Sequence, residues 1–322
     1  MEYQQVRNLT SSCASFALRD TSAKMRIAFV MPAFNEEELL GETVDGVLPF
    51  VDRLVIVNDG SKDGTGRIAD GYRARFPDRV DVIHQENKGI GVAVIAGMRL
   101  LLQRNDIDAI GITASDNQCD PILIPAFRHI LEKHGEIDVA KGSRFLHPQS
   151  LHQMPRFRYW GNRGVSLTMQ LILGYYGMSD VLHGYLLGRT RVFREMDFSR
   201  IADGYDLENT MMTEFRRIRC RFGLVPSPSR YGREKSKIIY RTQIPKTLRK
   251  MTSVLGRRLT SGPLTDRLAP LLLTTGNLPA AYLAMRLTSP SVRVFPPAEQ
   301  IVAAVQRDDQ AEPARSQRAG RR

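Results

Sequence analysis

Short apolar runs alternate with longer amphipathic stretches from Met25 onward, and this alternation constrains the fold most. Five runs rich in Ile and Val are typical of buried strands: 26–31, 54–57, 80–83, 109–113 and 137–140. Four intervening stretches have apolar residues near helical spacing: 36–49, 63–75, 91–103 and 121–133. Strands that alternate with helices predict an α/β domain, with a mostly parallel sheet and helices on both faces. Ligands bind at the carboxyl ends of the strands in such sheets, so we expect the site in the loops after each strand.

The pattern changes after Gly142, where the sequence predicts long helices over 156–173 and 204–218 and a short strand over 223–225. The end of the chain, from about Pro296, is rich in Ala, Gln and Arg and is predicted to be a disordered tail. The expected organisation therefore has four parts: a disordered polar N-terminus (1–24), the α/β domain (25–235), a basic amphipathic helical segment (236–295) and the tail (296–322).

The charge of the chain is concentrated in one segment. The 322 residues include 46 Lys and Arg against 34 Asp and Glu, a formal net charge of +12, which indicates an anionic partner. Residues 215–262 hold 14 of the basic residues and one acidic residue, Glu234, so the remainder is close to neutral. No helix-turn-helix, RNA-recognition or zinc pattern accompanies this charge, and we expect no nucleic-acid partner.

The basic segment has the pattern of a helix that lies on a membrane. Between Lys235 and Arg258 there are eight basic residues and no acidic ones, and apolar residues recur beside them at helical spacing: Leu248, Met251, Val254, Leu255 and Leu259. This pattern predicts binding to an anionic membrane surface. A solvated helix packed on its own domain is the alternative interpretation.

The predicted location is cytoplasmic, peripheral at the cytoplasmic face of a membrane. Residues 1–25 show no apolar secretory segment, and the three scattered cysteines fit no metal-ligand spacing but suit a reducing compartment. The stretch Leu268–Met285 is uncharged but contains two prolines, so we interpret it as interfacial or packed, not spanning.

Four loops after the predicted strands carry polar residues suited to a nucleotide and a metal: 31–37, 57–65, 86–91 and 113–121. Asp59 at a strand tip can bind a ribose hydroxyl or a base N–H. Lys88 and its flanking small residues suit close approach of a diphosphate. Asp116, Gln118 and Asp120 offer the oxygen ligands that Mg²⁺ or Mn²⁺ prefers. Taken singly, each loop is equally well described as an ordinary capped turn.

Taken together, the four loops resemble those of family 2 glycosyltransferases, which have the GT-A (Rossmann-like) fold. The motifs occur in order: Pro-Ala-Phe-Asn-Glu-Glu from Pro32, Val-Asn-Asp-Gly-Ser-x-Asp-Gly-Thr from Val57, Asn-Lys-Gly-x-Gly from Asn87 and Asp-x-Gln-x-Asp-Pro from Asp116. Later matches resemble the dolichyl- or polyprenyl-phosphate sugar (mannose or glucose) synthase branch: 142–145, 179–180, 184–185, 204–209, 225–226 and 230–236.

The resemblance implies roles for individual residues. Nucleotide-binding positions are matched by Pro32, Ala33, Glu36 and Asp59, and the loop beside the nucleotide by Lys88 and Gly89. Contacts to a divalent cation, Mg²⁺ or Mn²⁺, are matched by Asp116 and Gln118. Basic positions that grip the acceptor phosphate are matched by Arg144 and Arg158, with Asn162 one helical turn beyond Arg158.

Four positions depart from the family pattern. Ala114 stands where the first acid of Asp-x-Asp is expected, Leu182 and Leu186 replace the usual Gln and Arg around the Gly-Tyr pair, and Thr210 replaces a second carboxylate. The loss of an acidic ligand weakens a metal site, although the remaining ligands, the diphosphate and water can complete six-coordination.

The expected function is inverting transfer of a hexose from a GDP- or UDP-linked sugar to a polyprenyl phosphate at the membrane surface. Asp116, Arg144 and Arg158 are the expected catalytic residues. A family 2 enzyme with a glycolipid or polysaccharide acceptor is one alternative. A non-catalytic protein that binds a nucleotide sugar or lipid is another, because of Ala114.

Overall fold

The structure is a computed structural model, and it describes residues 24–149, 152, 154–204, 206–228, 252 and 290–307. The predicted N-terminal segment thus lies outside the described residues except for Lys24. Most of the predicted basic segment, including the stretch 268–285, lies outside them as well.

Eight strands of the described part of the chain form one sheet in the order β3-β2-β1-β4-β6-β5-β7-β8. Their bounds are β1 Ile27–Ala33, β2 Arg53–Asp59, β3 Val80–Gln85, β4 Ala109–Ile112, β5 Val139–Ser143, β6 Leu186–Arg189, β7 Phe222–Pro226 and β8 Val292–Val294. Within these pairings β6 runs antiparallel to both β4 and β5, and the other neighbours are parallel. The mostly parallel sheet expected from the alternation is confirmed.

Helices follow most of the strands. Their bounds are α1 Leu40–Val47, α2 Thr65–Arg75, α3 Ile90–Leu102, α4 Leu123–Lys133, α5 Arg156–Leu173, α6 Thr190–Glu195, α7 Leu207–Ile218 and α8 298–307. The predicted helix over 156–173 agrees with α5 at both ends, whereas α1 is shorter than the predicted 36–49. Residues 36–39 instead form the turn that leads from β1 into α1.

The sheet is buried on both faces. Along β1, Ile27, Phe29 and Met31 belong to the apolar cluster on one face, while Ala28 and Val30 belong to the cluster on the other. Successive side chains of a strand point to opposite faces, so a strand covered on both sides must be apolar throughout. This explains the unbroken apolar runs in the sequence and confirms the helices on both faces.

The region from Pro296, which was predicted to be disordered, is helical over part of its length. Residues 298–307 are helical, and β8 pairs in parallel with β7. Phe295, Ala298 and Ile301 are buried in the cluster that also contains residues of α4. The prediction of disorder from 296 was therefore wrong for 298–307, because three apolar side chains gain a surface that only the folded sheet provides. Residues 308–322 lie outside the described residues.

Among the described residues, no helix is both long enough and apolar enough to cross a lipid bilayer.

Cys119 and Cys220 are buried free thiols, and burial raises the pKa of each to about 12. Both thiols therefore stay protonated near neutral pH and pack as small apolar side chains.

Candidate active site

A cavity of about 180 Å³ opens at the carboxyl ends of β1, β4 and β5. Its lining comes from those strand ends, from the loop before β6 and from one face of α7: Pro32, Thr113, Ala114, Gln118, Lys141, Arg144, Leu182, His183, Gly184, Glu208, Met211 and others. Of the residues predicted from the sequence, Pro32, Gln118 and Arg144 line this cavity. The structure therefore brings together one position predicted to bind the nucleotide, one predicted to bind the metal and one predicted to bind the acceptor.

The loop after β4 is fixed by hydrogen bonds within itself and to α1. The Asp116 Oδ1 atom accepts a hydrogen bond from the Gln118 backbone N–H at 3.1 Å. Asn117 has a φ of 59° and donates through Nδ2 to Glu42 Oε1 at 2.9 Å. This geometry is an Asx turn that puts the Gln118 side chain at the cavity and Asp116 two residues from Ala114 in the same loop.

Asp59 organises the loop after β3. The carboxylate is buried, and its Oδ1 accepts hydrogen bonds from Gln85 Nε2 at 2.7 Å and from the Lys88 N–H at 3.0 Å. The other oxygen, Oδ2, accepts from the Gly89 N–H at 2.9 Å. Asp59 thus ties β2 to the Lys88–Gly89 loop, while its contact with a nucleotide stays a prediction.

Gly89 and Gly91 lie against the backbone of residues 202–203. Gly89 has a φ of +99°, and a Cβ atom on it would lie 2.5 Å from the Asp203 carbonyl oxygen. A Cβ on Gly91 would lie 1.8 Å from the Ala202 oxygen, and the Gly91 N–H donates to Asp203 O at 2.7 Å. The 202–203 backbone therefore requires small residues at both positions, and the predicted close approach of a diphosphate stays a prediction. The side chain of Lys88, the residue before Gly89, is exposed.

The end of β1 and the loop after it carry three predicted nucleotide positions, of which Pro32 lines the cavity. Pro32 is half-buried and Ala33 is buried in the sheet. The Glu36 N–H donates to Thr65 Oγ1 at 2.8 Å, and its carbonyl accepts from Leu40 N–H at 2.9 Å to begin α1. The turn is thereby fixed to the start of α2.

Arg144 is held by a buried carboxylate. Its Nε and Nη2 donate to Asp180 Oδ2 and Oδ1 at 2.7 and 3.0 Å, and its backbone N–H donates to Oδ2 at 3.1 Å. The two side chains are 14% and 0% exposed. Burial raises the pKa of the Asp180 carboxyl, but the Arg144 charge and hydrogen bonds outweigh this effect and hold it well below its usual range. Arg144 is thus fixed in orientation, with its charge largely compensated.

Three other ionisable groups line the cavity beside Arg144. Lys141 lies on β5, and its Nζ donates to the His183 carbonyl oxygen. Burial lowers the pKa of His183 well below its usual value and raises the pKa of Glu208. The sequence assigned no role to Lys141. The one sequence feature that could have indicated it is a charged residue placed between the apolar run 137–140 and the motif 142–145.

Helix α5 carries the other two residues that were predicted to bind the acceptor phosphate. Arg158 and Asn162 both lie on this helix, where Asn162 is half-buried. The helix exposes large apolar side chains, with Phe157 75% and Trp160 65% exposed, and Leu167 also exposed. Asn162 is not among the described residues that line the cavity, and the side chain of Arg158 lies outside what the structure describes, so both roles stay predictions.

Comparison with known proteins agrees with this architecture. Residues 28–197, more than half of the chain, match the family described as "Glycosyl transferase family 2". The polyprenol monophosphomannose synthase of Mycolicibacterium smegmatis is 30% identical over 56% of this chain and 68% of that protein. The undecaprenyl-phosphate mannosyltransferase of Micrococcus luteus is 31% identical over 63% of this chain and 82% of that protein.

A solved structure shows the same fold at lower identity. Glucosyl-3-phosphoglycerate synthase of Mycobacterium tuberculosis, in complex with Mn²⁺ and UDP-glucose, superposes with a TM-score of 0.53 at 19% identity. The superposition covers 76% of this chain and 81% of that structure. The sheet order, the cavity at the strand ends and the family match give one conclusion: the chain belongs to glycosyltransferase family 2 and is a hexosyltransferase with a GT-A fold.

Proposed function

We propose that this chain transfers a hexose from a nucleotide diphosphate sugar to a polyprenyl phosphate, with inversion at C1 of the sugar. The observation that carries the proposal is the shared cavity, which is lined both by Pro32 and Gln118, predicted to bind the donor and its cation, and by Arg144, predicted to bind the acceptor phosphate. The two mannosyl-transferring relatives, whose names specify polyprenol and undecaprenyl phosphate, support the same acceptor class.

The reaction is a single displacement. An oxygen of the lipid phosphate attacks C1 of the sugar, the bond from C1 to the β-phosphate oxygen breaks, and the nucleoside diphosphate leaves with both electrons. The attacking oxygen is already anionic at neutral pH, so no strong general base is required. The site must instead hold two anions close together, and the residues that orient them and supply positive charge carry most of the rate enhancement.

Asp116 and Gln118 fit a divalent cation that shares its coordination with the donor. Their side-chain oxygens suit Mg²⁺ or Mn²⁺. Within the described residues, no group of three His, Cys, Asp or Glu side chains could hold a metal ion. Ala114 stands where the family has a further carboxylate, so a cation held by Asp116 and Gln118 would need additional oxygen ligands. When bound, the cation neutralises charge on the departing diphosphate.

The proposal predicts the effect of removing the remaining acidic ligand. Asp116→Asn is expected to lower kcat/KM by about 10- to 100-fold and to raise the Mn²⁺ concentration needed for half-maximal activity, because a neutral amide binds a hard cation more weakly. Steady-state kinetics over a Mn²⁺ titration measure both effects. Asp106→Asn, at a half-exposed surface carboxylate, is the matched control and should leave both values unchanged.

The acceptor is tested with labelled UDP- and GDP-hexoses, membranes and added polyprenyl phosphate. A product that is soluble in chloroform/methanol and labile to mild acid supports lipid phosphate as acceptor. Label incorporated into polymer contradicts it and favours a polysaccharide acceptor. The anomeric configuration of the product, read by NMR, decides whether the transfer inverts.

We also propose that the enzyme works at an anionic membrane surface, which α5 and the basic segment contact. Between Ser150 and Ser179 the sequence has three arginines and no acidic residue, and the exposed Phe157 and Trp160 lie on α5 one helical turn apart. Exposed aromatic side chains among cations are typical of helices that enter the headgroup region. The cytoplasmic face, where anionic lipids are abundant, is the surface that this charge favours.

Replacing both aromatic residues is expected to weaken membrane binding. The double variant Phe157→Ser, Trp160→Ser should reduce partitioning onto phosphatidylglycerol vesicles at least tenfold, because two large apolar side chains no longer leave water. Vesicle sedimentation measures this, with calorimetric UDP and GDP affinities as the test of an intact fold. Val294→Ser, at an exposed apolar side chain of β8, is the control. Unchanged sedimentation of the double variant would contradict a role of α5.

A further inference from the structure

Lys141 is a buried cation at the wall of the active-site cavity. It lies on β5, only 1% exposed, between β6 and β7. One hydrogen bond of its ammonium goes to the carbonyl oxygen of His183, and its side chain lines the cavity. The ammonium group carries three N–H donors, and the His183 oxygen is its one acceptor within the described part of the chain, so most of its hydrogen-bonding capacity is left for the cavity.

No carboxylate of the described residues forms an ion pair with Lys141, in contrast to Arg144. Asp180 accepts three hydrogen bonds from Arg144, so its charge is committed to that partner. Glu208 approaches from α7, on another wall of the cavity, and influences Lys141 through space. Buried ammonium groups are costly unless they are paired. A position that keeps such a group beside a cavity is therefore suited to an anion that enters the cavity.

Burial lowers the pKa of Lys141 to about 8, opposed by the negative charge of Asp180. The ammonium form therefore still predominates at neutral pH. Any anion bound beside it favours that form further.

We infer that Lys141 binds an anionic phosphoryl oxygen of the substrates and supplies uncompensated positive charge that Arg144, paired with Asp180, does not. This inference rests on the proposed function and adds a residue to it. Two phosphoryl groups meet in the reaction, the donor diphosphate and the acceptor phosphate, and the test below distinguishes them. Lys141 is then a substrate-binding residue, whereas Asp180 is a positioning residue that acts through Arg144.

The test compares Lys141→Met with the natural chain and with Lys133→Met, a control at an exposed lysine of α4. Calorimetry at pH 7 measures the affinities for UDP, GDP and farnesyl phosphate, and thermal unfolding measures stability. We expect Lys141→Met to weaken at least one class of ligand tenfold or more. The melting temperature should be unchanged or higher, because methionine fills the same space without a buried charge. Lys141→Arg, which keeps the charge, should bind more tightly than Lys141→Met.

Each outcome distinguishes the source of the phosphoryl oxygen. A loss confined to UDP or GDP assigns Lys141 to the donor, a loss confined to farnesyl phosphate assigns it to the acceptor, and a loss for both places it between them. Affinities within twofold of the natural chain for all three ligands would overturn the inference. So would a lower melting temperature of Lys141→Met, since it would show that the cation stabilises Asp180 and Glu208 instead.

These measurements stand apart from the proposed function. If the natural chain transfers no hexose to polyprenyl phosphate, the proposed acceptor is wrong, yet the loss of UDP or GDP binding in Lys141→Met still tests the lysine. If transfer occurs and binding is unaffected, the proposed function holds and only the role of Lys141 fails.

Discussion

Replacing Asp180 with alanine is expected to lower the free energy of unfolding by about 3–5 kcal/mol, the usual cost of removing one partner from a buried ion pair. The carboxylate accepts three hydrogen bonds from Arg144, and its side chain is 0% exposed. Without Asp180, the Arg144 side chain, which is only 14% exposed, would keep its charge largely buried and would lose its principal counter-charge. Urea denaturation at pH 7 measures the change. Transfer activity should fall as well, because Arg144 loses the partner that orients it.

A control and a double variant separate this pair from ordinary surface charges. Asp106→Ala removes an exposed partner of Arg26 and Arg104 and should change the free energy of unfolding by about 1 kcal/mol or less. Arg144→Met combined with Asp180→Leu leaves no buried charge at this pair, so it should recover much of the stability that Asp180→Ala loses. Activity should stay low in the double variant. Recovery of activity with stability would contradict a substrate-binding role for Arg144.

The same pair predicts a pH dependence of a stated sign. The pKa of Asp180 is lowered in the folded state from the usual 3.8, so the folded state binds fewer protons than the unfolded state around that pH. Its stabilisation is therefore complete above pH 4 or so and is lost as the pH falls through the lowered folded-state value. In Asp180→Ala, the free energy of unfolding should therefore fall less steeply as the pH is lowered through this range.

Gly91→Ala is expected to destabilise the protein by about 3 kcal/mol and to reduce activity strongly. The added Cβ would lie 1.8 Å from the Ala202 oxygen, so either α3 or the 202–203 backbone must move. The hydrogen bond from the Gly91 N–H to the Asp203 oxygen is lost in that movement. Because α7 begins shortly after this segment and supplies Glu208 to the cavity, the displacement also moves a cavity wall. Urea denaturation and steady-state kinetics measure the two effects.

Gly71→Ala provides the matched control for Gly91. This glycine is exposed in the interior of α2, and a Cβ on it would meet nothing within 4 Å. The substitution should therefore stabilise the protein by about 0.5–1 kcal/mol, since alanine loses less backbone freedom on folding. A neutral Gly91→Ala would show that the contact between α3 and the 202–203 backbone relaxes easily and does not hold the cavity wall.

Local pattern sufficed where local chemistry decides the structure. The runs of Ile and Val predicted β1 to β5. The runs of the central strands β1 and β4 are apolar because both faces are buried, whereas β3 at the sheet edge is only partly buried. Helical spacing predicted α5 at both ends. The loops 31–37, 57–65, 86–91 and 113–121 were identified because the carboxyl ends of parallel strands share one edge. Their motifs then indicated the family that the match over 28–197 confirms.

The strands that the sequence failed to predict depend on partners distant in the chain. β6 carries only Leu186–Arg189 and lies between β4 and β5, so its short run becomes a strand only by pairing with both. β8 joins β7 across the region 229–289, and the helix after it is ordered by Phe295 and Ile301 in the core. Short segments without strong periodicity gain their structure from tertiary contacts, which local propensity does not report.

The sequence by itself determined the fold class and the family, since apolar periodicity and ordered loop motifs are local properties of the chain. Only the tertiary structure decided the electrostatics of the site. It paired Arg144 with Asp180 across 36 positions, turned Gly89 and Gly91 toward the 202–203 backbone, and left Lys141 buried beside the cavity without an ion-pair partner among the described residues. The physical reason is that charge compensation and close packing depend on which side chains meet in space, and a linear motif carries no record of those meetings.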